Sequence, residues 1–94
     1  MKAWVIIHCE LWVKEPNVFI DEMVFHVASS LEKAEKYLKD IFIENTSWWK
    51  VIEMEVDRDE SFSEDGLFYF YGNRGKKLKK MPYKRALKNF IPKA

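Results

Sequence analysis

The chain has 94 residues, of which 48% are apolar and 16% are aromatic, and this composition excludes an intrinsically disordered polypeptide. The length suits one domain over residues 1–94 and leaves no room for two. Because Cys9 is the single cysteine, an intramolecular disulfide and a cysteine-based zinc site are excluded, and we predict a soluble protein of the reducing cytoplasm.

The charges are distributed very unevenly along the chain. The formal net charge is +1, but residues 1–66 contain all 15 acidic side chains, whereas residues 67–94 contain 9 basic and no acidic side chains. A basic segment of this kind is typical of a surface that faces anions. The N-terminal apolar run is interrupted by His8 and Glu10, so we predict neither a signal peptide nor contact with a membrane.

Two strands are predicted at the start of the chain. Residues 2–14 alternate with a period of two, which indicates a strand. After turn-forming residues at 15–17, a second strand is predicted within residues 18–27, where Asp21 and Glu22 mark a bulge or a bend. On the first strand, one face carries Ala3, Val5, Ile7, Cys9, Leu11 and Val13, and the other carries Lys2, Trp4, Ile6, His8, Glu10, Trp12 and Lys14. On the second strand, Met23, Phe25 and Val27 are predicted on one side, and Val24 and His26 on the other.

A capped helix is predicted after the second strand. Ser29 is the predicted N-cap, and Glu32, three residues later, completes a capping box. Apolar residues then recur at helical spacing, at Leu31, Ala34, Leu38, Ile41 and Phe42.

Three further strands and a second helix are predicted in the C-terminal half. The third strand covers residues 48–58, the fourth covers 67–71, and a turn at 72–75 leads to a short, lysine-rich edge strand at 77–80. Pro82 suits the first turn of an amphipathic helix that ends at Pro92. Its apolar side carries Tyr83, Ala86, Leu87, Phe90 and Ile91.

These elements predict an α+β fold with a single antiparallel sheet of four to five strands in the order of about 2-1-3-4. The capped helix is expected to lie on one face of this sheet. The face that it is expected to cover carries Val5, Ile7, Leu11, Phe25, Ile52 and Met54. The opposite face then remains for the C-terminal helix or for a second molecule.

Residues 25–36 (FHVASSLEKAEK) and 49–56 (WKVIEMEV) resemble small uncharacterised bacterial and phage domains that consist of a hairpin, a capped helix and a returning strand. The resemblance implies this fold and carries no functional residues across. The aromatic fourth strand and the basic last helix lie outside it.

We predict no catalytic residue, no metal site and no cofactor. His8-Cys9-Glu10 has the H-x-E order of zinc deaminases, but that chemistry needs further cysteines to hold the metal. Residues 57–63 resemble the start of a calcium loop that lacks the required glycine. Residues 72–77 have only two residues between their glycines, so a hairpin turn explains them better than a phosphate loop does.

Three classes of function remain open. The leading hypothesis is a self-associating or partner-binding module, in its simplest form a homodimer that uses the apolar sheet face formed by Trp4, Ile6, Trp12, Trp49 and Val51. The second hypothesis is a nucleic-acid-binding protein, in which aromatic residues of the fourth strand stack on bases next to Lys76, Lys77, Lys79, Lys80, Lys84, Arg85 and Lys88. The third is an enzyme or a metal-binding protein that uses His8, His26 and Glu53 on the sheet.

Overall fold

The protein is described by a computed structural model, which defines residues 1–14, 16–55 and 68–89. The strands are β1 (Lys2–Lys14), β2 (Asn17–Ala28), β3 (Ser47–Glu55), β4 (Phe68–Tyr71) and β5 (Lys77–Leu78), and the helices are α1 (Leu31–Lys39) and α2 (Tyr83–Asn89). Predictions for residues 56–67, which include the acidic loop, and for residues 90–94, which include Phe90 and Ile91, lie outside the described residues.

All five strands form one antiparallel sheet in the order β2-β1-β3-β4-β5. The predicted α+β class and the predicted order of the first four strands are confirmed. Within the described residues the strands begin near their predicted residues, because apolar alternation and turn residues agree along this chain. β1 lies between β2 and β3, so that Trp4, for example, faces Ala28 on one side and Glu53 on the other.

A bulge interrupts the pairing of β2 with β1 at Phe25. The register along β1 passes directly from His26 to Val24, which makes Phe25 the extra residue. The predicted bulge at residues 21–22 is wrong, since β2 pairs there without interruption. The bulge also changes the phase of the alternation. Val27 therefore shares a face with Val24, and the predicted groupings of Val27 with Phe25 and of Val24 with His26 are wrong.

The N-cap of α1 is Ser30 and not the preceding serine. The Ser30 hydroxyl accepts a hydrogen bond from the Lys33 backbone N–H at 3.1 Å, which satisfies one of the free donors in the first helical turn. The helix ends at Lys39, earlier than predicted. Phe42, predicted on its apolar side, lies beyond the helix and is 71% exposed.

α1 covers one face of the sheet, which we call the α1 face. The helix buries Ala34 and Leu38 in a core with Ile6, Trp49 and Val51 of the sheet. The prediction that α1 covers the other face is wrong. Both faces of β1 are apolar, and a period of two separates the faces without showing which one the helix will meet. The face wrongly assigned to α1 carries Val5, Ile7, Leu11, Ile52 and Met54.

α2 packs on this second face, which we call the α2 face. Ala86 of α2 is buried, and Tyr83 is half-buried, in a second core. The other buried members of this core come from the sheet: Ile7, Cys9, Leu11, Trp48 and Ile52. The two helices thus lie on opposite faces, and the sheet between them carries two separate apolar cores.

The turn between β4 and β5 docks onto the end of α1. The Arg74 backbone N–H donates to the Ile41 carbonyl at 3.0 Å, and the Asn73 side chain accepts from the Ile43 backbone N–H at 2.9 Å. Gly75 has a positive φ of +73° and lies against the backbone of Lys39. The glycine-rich turn therefore has a structural role, because it closes the C-terminal end of the helix.

Candidate functional site

The hairpin of β1 and β2 exposes a large apolar surface. Every residue of β2 except Ala28 is exposed. Eight apolar residues of the hairpin each expose between 39% and 59% of their surface, and we call them the hairpin patch: Trp12, Val18, Phe19, Ile20, Met23, Val24, Phe25 and Val27. The patch lies where β1 and β2 extend along the sheet with little cover from α1, a helix of nine residues.

The patch occupies both faces of the hairpin. Residues that face each other across an antiparallel pair share a side of the sheet. Phe19 pairs with Trp12 on the α1 face, whereas Val24 pairs with Ile7 and Val27 pairs with Val5 on the α2 face. Apolar side chains therefore continue from one face to the other around the outer edge of β2.

The two edges of the sheet differ in how they are protected. β5 is two residues long, and lysines lie along it and after it. Short length and lysine are devices that prevent a sheet edge from pairing with another strand. β2 has 12 residues and contains neither lysine nor proline. Among the described residues its outer edge has no neighbouring strand, so a long row of backbone groups is open to pairing.

The charged residues of β2 are Asp21 and Glu22, in the middle of the strand. Glu22 forms an ion pair with Lys50 of β3 at 2.7 Å, across the intervening strand β1. The pair also contacts the buried Cys9, whose thiol lies 3.8 Å from the Glu22 carboxylate. One of the two carboxylates is therefore already matched by a cation of the same chain.

A shallow pocket is present near the tip of the hairpin. Its volume is about 350 Å³, and it lies beside Trp12 and Phe19, which face each other on the α1 face. The remaining lining residues are Lys14, Ile20 and Asp21. Such a pocket can receive an apolar side chain, while the carboxylate and the ammonium at its rim can orient a polar neighbour.

Four of the five residues predicted as an interface lie under α1. Ile6, Trp49 and Val51 are fully buried, and Trp4 is half-buried against the same core. Trp12 is the one predicted residue that belongs to the hairpin patch. The rest of the patch was not predicted, although its signal was present in the sequence. Two strands of about 40 Å cannot be covered by a helix of about 15 Å.

The predicted basic residues do gather on one part of the surface. Lys76, Lys77, Lys79, Lys80, Lys84, Arg85 and Lys88 are all exposed, on and around β5 and α2. Among the described residues, only Lys77 of this set forms an ion pair, with Glu35 at 3.3 Å. A pocket of about 390 Å³ lies among Lys79, Lys80, Lys84 and Arg85. We call these seven residues the basic surface.

The aromatic residues of β4 do not join the basic surface. Tyr71 is buried and Tyr69 half-buried in the core under α1, and Phe68 and Phe70 pack in the core under α2. Burial, followed by the nearby Glu35 carboxylate, raises the pKa of the Tyr71 hydroxyl above its usual range. The expectation that these rings stack on bases is therefore wrong, since the two cores hold them.

Of the groups suggested for catalysis or metal binding, His8 and Glu53 are kept apart, and His26 stacks on Tyr37 of α1 with ring centroids 4.3 Å apart. His8 packs against Trp49 and Phe25, with ring centroids 4.9 Å and 5.3 Å away. In the pairing of β1 with β3, Glu53 lies opposite Trp4, whereas Trp49 lies opposite His8. Glu53 is therefore four residues along β3 from the position next to His8. This places the two side chains about 13 Å apart, beyond the reach of a direct proton transfer. Within the described ranges, no group of three His, Cys, Asp or Glu residues could hold a metal ion.

Cys9 is held in its unreactive form. The side chain is fully buried, and desolvation, followed by the charge of Glu22, raises the pKa of its thiol to about 12. The thiolate is the nucleophile and the metal ligand, so a protonated, buried cysteine serves neither role. Cys9 acts as a small apolar residue of the core on the α2 face.

Comparison with family models, curated proteins and solved structures found no match to this chain. The resemblance of residues 25–36 and 49–56 to small bacterial and phage domains therefore stays a prediction. In the part of the chain that the structure describes, no helix is long and apolar enough to cross a membrane.

Proposed function

We propose that the protein is a non-catalytic module that associates with itself or with a partner protein through the hairpin patch. The observation that supports this proposal is the amount of apolar surface that the patch exposes. An apolar residue presents about 150–250 Å² when fully exposed, so the patch presents on the order of 700 Å². The largest apolar patch on a typical monomer covers about 300–600 Å², and larger patches mark interaction sites.

The chemistry of the patch suits a protein surface better than it suits an anionic ligand. Aromatic residues and methionine are enriched at protein interfaces, and half of the patch consists of them: Trp12, Phe19, Met23 and Phe25. The charges on β2 itself are negative. A nucleic acid or an acidic membrane surface would be repelled by Asp21 and would meet a single cation, Lys14, at the rim of the hairpin pocket. The cytoplasmic location predicted from the single cysteine remains part of this proposal.

Photocrosslinking in the native host tests the proposal. A photoreactive phenylalanine analogue is introduced at Val24, within the patch, or at Phe42, which is comparably apolar and exposed but lies in the connection between α1 and β3. We expect discrete covalent adducts from position 24 and none from position 42. The absence of any adduct from position 24, in a protein that is folded and expressed, would refute an interaction through the hairpin patch.

A second candidate function, nucleic-acid binding, is supported by the gathering of seven exposed cations on the basic surface. Backbone phosphates are the partners in this proposal, because the rings of β4 are held in the cores. Each phosphate that the protein neutralises contributes about −0.7 to −0.9 to the slope of log affinity against log salt.

The second function is tested with oligonucleotides at low and moderate salt. Changing Lys80, Lys84 and Lys88 to Glu is expected to abolish binding while the circular dichroism spectrum is retained. The control changes Lys2, Lys36 and Lys39 to Glu, which alters the net charge equally on exposed residues outside the basic surface and the hairpin patch. Equal loss of affinity in both triple variants would show a general charge effect and contradict a specific surface.

A further inference from the structure

We propose that the partner of the hairpin patch is a second copy of the chain, whose β2 pairs antiparallel with β2 along its outer edge. The two five-stranded sheets then form one continuous sheet of ten strands. This inference rests on the proposed function and names the partner and the mode of contact. Three features of the hairpin support it: apolar side chains on both faces, an open and self-complementary edge, and a surface large enough for a stable dimer.

The distribution of the patch over two faces favours contact at the edge. A helix or a sheet that lay on the α1 face would cover Phe19 and Met23 but leave Val24 and Val27 in water. A strand added beside β2 places its own alternating side chains next to both rows. An edge contact is thus the arrangement that shields both faces of the hairpin at once.

The open edge of β2 is suited to pairing with its own copy. In an antiparallel arrangement about a twofold axis, two identical strands present the same surface to each other, as an isologous dimer requires. Main-chain hydrogen bonds along the edge supply the contact, and β2 contains no proline that would remove a donor. β5 is short and carries lysines, whereas the much longer β2 contains no lysine or proline and, among the described residues, has no strand on its outer edge. Its bulge and its two carboxylates interrupt the edge only locally, which leaves most of its length suited to a functional pairing.

Area and charge also allow a dimer. Covering the hairpin patch removes up to about 700 Å² per chain, close to the roughly 800 Å² per partner of a standard-size interface. The net charge of +1 produces little repulsion between copies. Of the two carboxylates in the middle of β2, Glu22 is matched by Lys50 within its own chain.

Sedimentation equilibrium of the purified full-length chain, from about 1 to 100 μM, tests this inference, since dimers of this size typically dissociate at or below the micromolar range. We expect a dimer. The change Val24→Lys puts a charge on the pairing edge and is expected to weaken the dimer at least about tenfold. The matched control, Phe42→Lys, replaces an exposed apolar residue away from the sheet and should leave the dimer unchanged.

Hydrogen exchange of the unmodified protein provides a second measurement that needs no variant. In a lone chain the outward-pointing amides of β2, alternate along the strand, have no strand partner among the described residues and are expected to exchange quickly. In the paired dimer they are protected, and we expect this protection to fade as the protein is diluted below its dissociation constant.

The outcomes separate this inference from the proposed function. A monomer at every concentration, with rapidly exchanging alternate amides on β2, overturns the second copy as partner. Photocrosslinked adducts of another mass from position 24 would then still support a binding module. A dimer that survives Val24→Lys with unprotected β2 amides also overturns the inference, because its contact lies elsewhere. No adduct from position 24 refutes the proposed function itself.

Discussion

Gly75 is predicted to be indispensable to the docking of the β4–β5 turn on α1, and the change Gly75→Ala tests this. The residue has a φ of +73°, which costs a residue with a side chain about 1–2 kcal/mol. An added Cβ would lie 3.3 Å from the Lys39 backbone nitrogen and 3.4 Å from the Leu38 carbonyl carbon. Both atoms belong to the last turn of α1 and cannot move aside cheaply, so we expect a total loss of about 2–3 kcal/mol.

Gly72→Ala is the matched control in the same turn. Its φ of −96° is ordinary, and an added Cβ would meet the Leu78 side chain at 3.7 Å, a normal contact distance. The reduced entropy of the unfolded chain should then leave stability unchanged or raise it by up to about 1 kcal/mol. The free energy of unfolding is measured by guanidinium titration, followed through the fluorescence of the buried Trp48 and Trp49. Equal stabilities of the two variants would refute the docking argument.

Two further predictions concern α1 and the core on the α2 face. Ser30→Ala should lower the free energy of unfolding by about 1 kcal/mol because the N-cap is lost, whereas Ser29→Ala should have little effect. Urea titration measures both variants. A larger loss for Ser29→Ala than for Ser30→Ala would support Ser29 as the N-cap instead. Above pH 9, the thiol of Cys9 ionises in the unfolded chain but stays protonated in the folded one, where its pKa is about 12. Stability should therefore fall as pH rises from 9 toward 12, by up to about 1.4 kcal/mol per unit for this group. Cys9→Ala should flatten the curve, and an unchanged slope would contradict the argument.

The fold was predictable because several local signals agree. The alternation in β1, the turn residues at its end and the helical spacing after Ser30 each define an element without reference to the others. The antiparallel order then follows if the crossover from β2 through α1 returns β3 to the free edge of β1, a right-handed connection. The choice of face was not predictable in this way. β1 is apolar on both sides, so the packing of α1 over Ile6 rather than Ile7 depends on the three-dimensional connection.

The site was less predictable than the fold. The sequence prediction assumed that one face of the sheet lacked a covering helix. Trp49 and Val51 were predicted as interface residues for that reason. In the structure each face is packed by one helix, and the exposed apolar surface lies on the hairpin. The bulge at Phe25 contributed to the error, since no local pattern marks it and it changes which side of β2 each later residue occupies.

The lysines of β5 lie at the sheet edge opposite the hairpin patch, whereas the basic residues of α2 lie over the α2 face, where α2 packs against β1. Pairing through the outer edge of β2 uses neither set, so the two proposed functions are compatible. β2 and β5 are the two edges of the sheet. If two chains pair through β2, the β5 edges lie at the ends of a ten-stranded sheet. With about 4.8 Å between neighbouring strands, these edges are about 43 Å apart. That distance corresponds to about 13 base pairs of duplex at about 3.4 Å each.

A dimer of this kind makes affinity for nucleic acid depend on duplex length. A duplex of about 8 base pairs reaches one basic surface, whereas one of about 24 base pairs reaches both. Because the two surfaces are then joined in one dimer, binding to the first raises the effective concentration at the second, and the affinity for the longer duplex increases. Val24→Lys should remove the advantage of the longer duplex by separating the chains, although it adds a cation to the protein. The comparison is made by fluorescence anisotropy at fixed salt. If Val24→Lys instead tightens binding to both lengths equally, the added charge alone is acting, and the basic surfaces are not joined through β2.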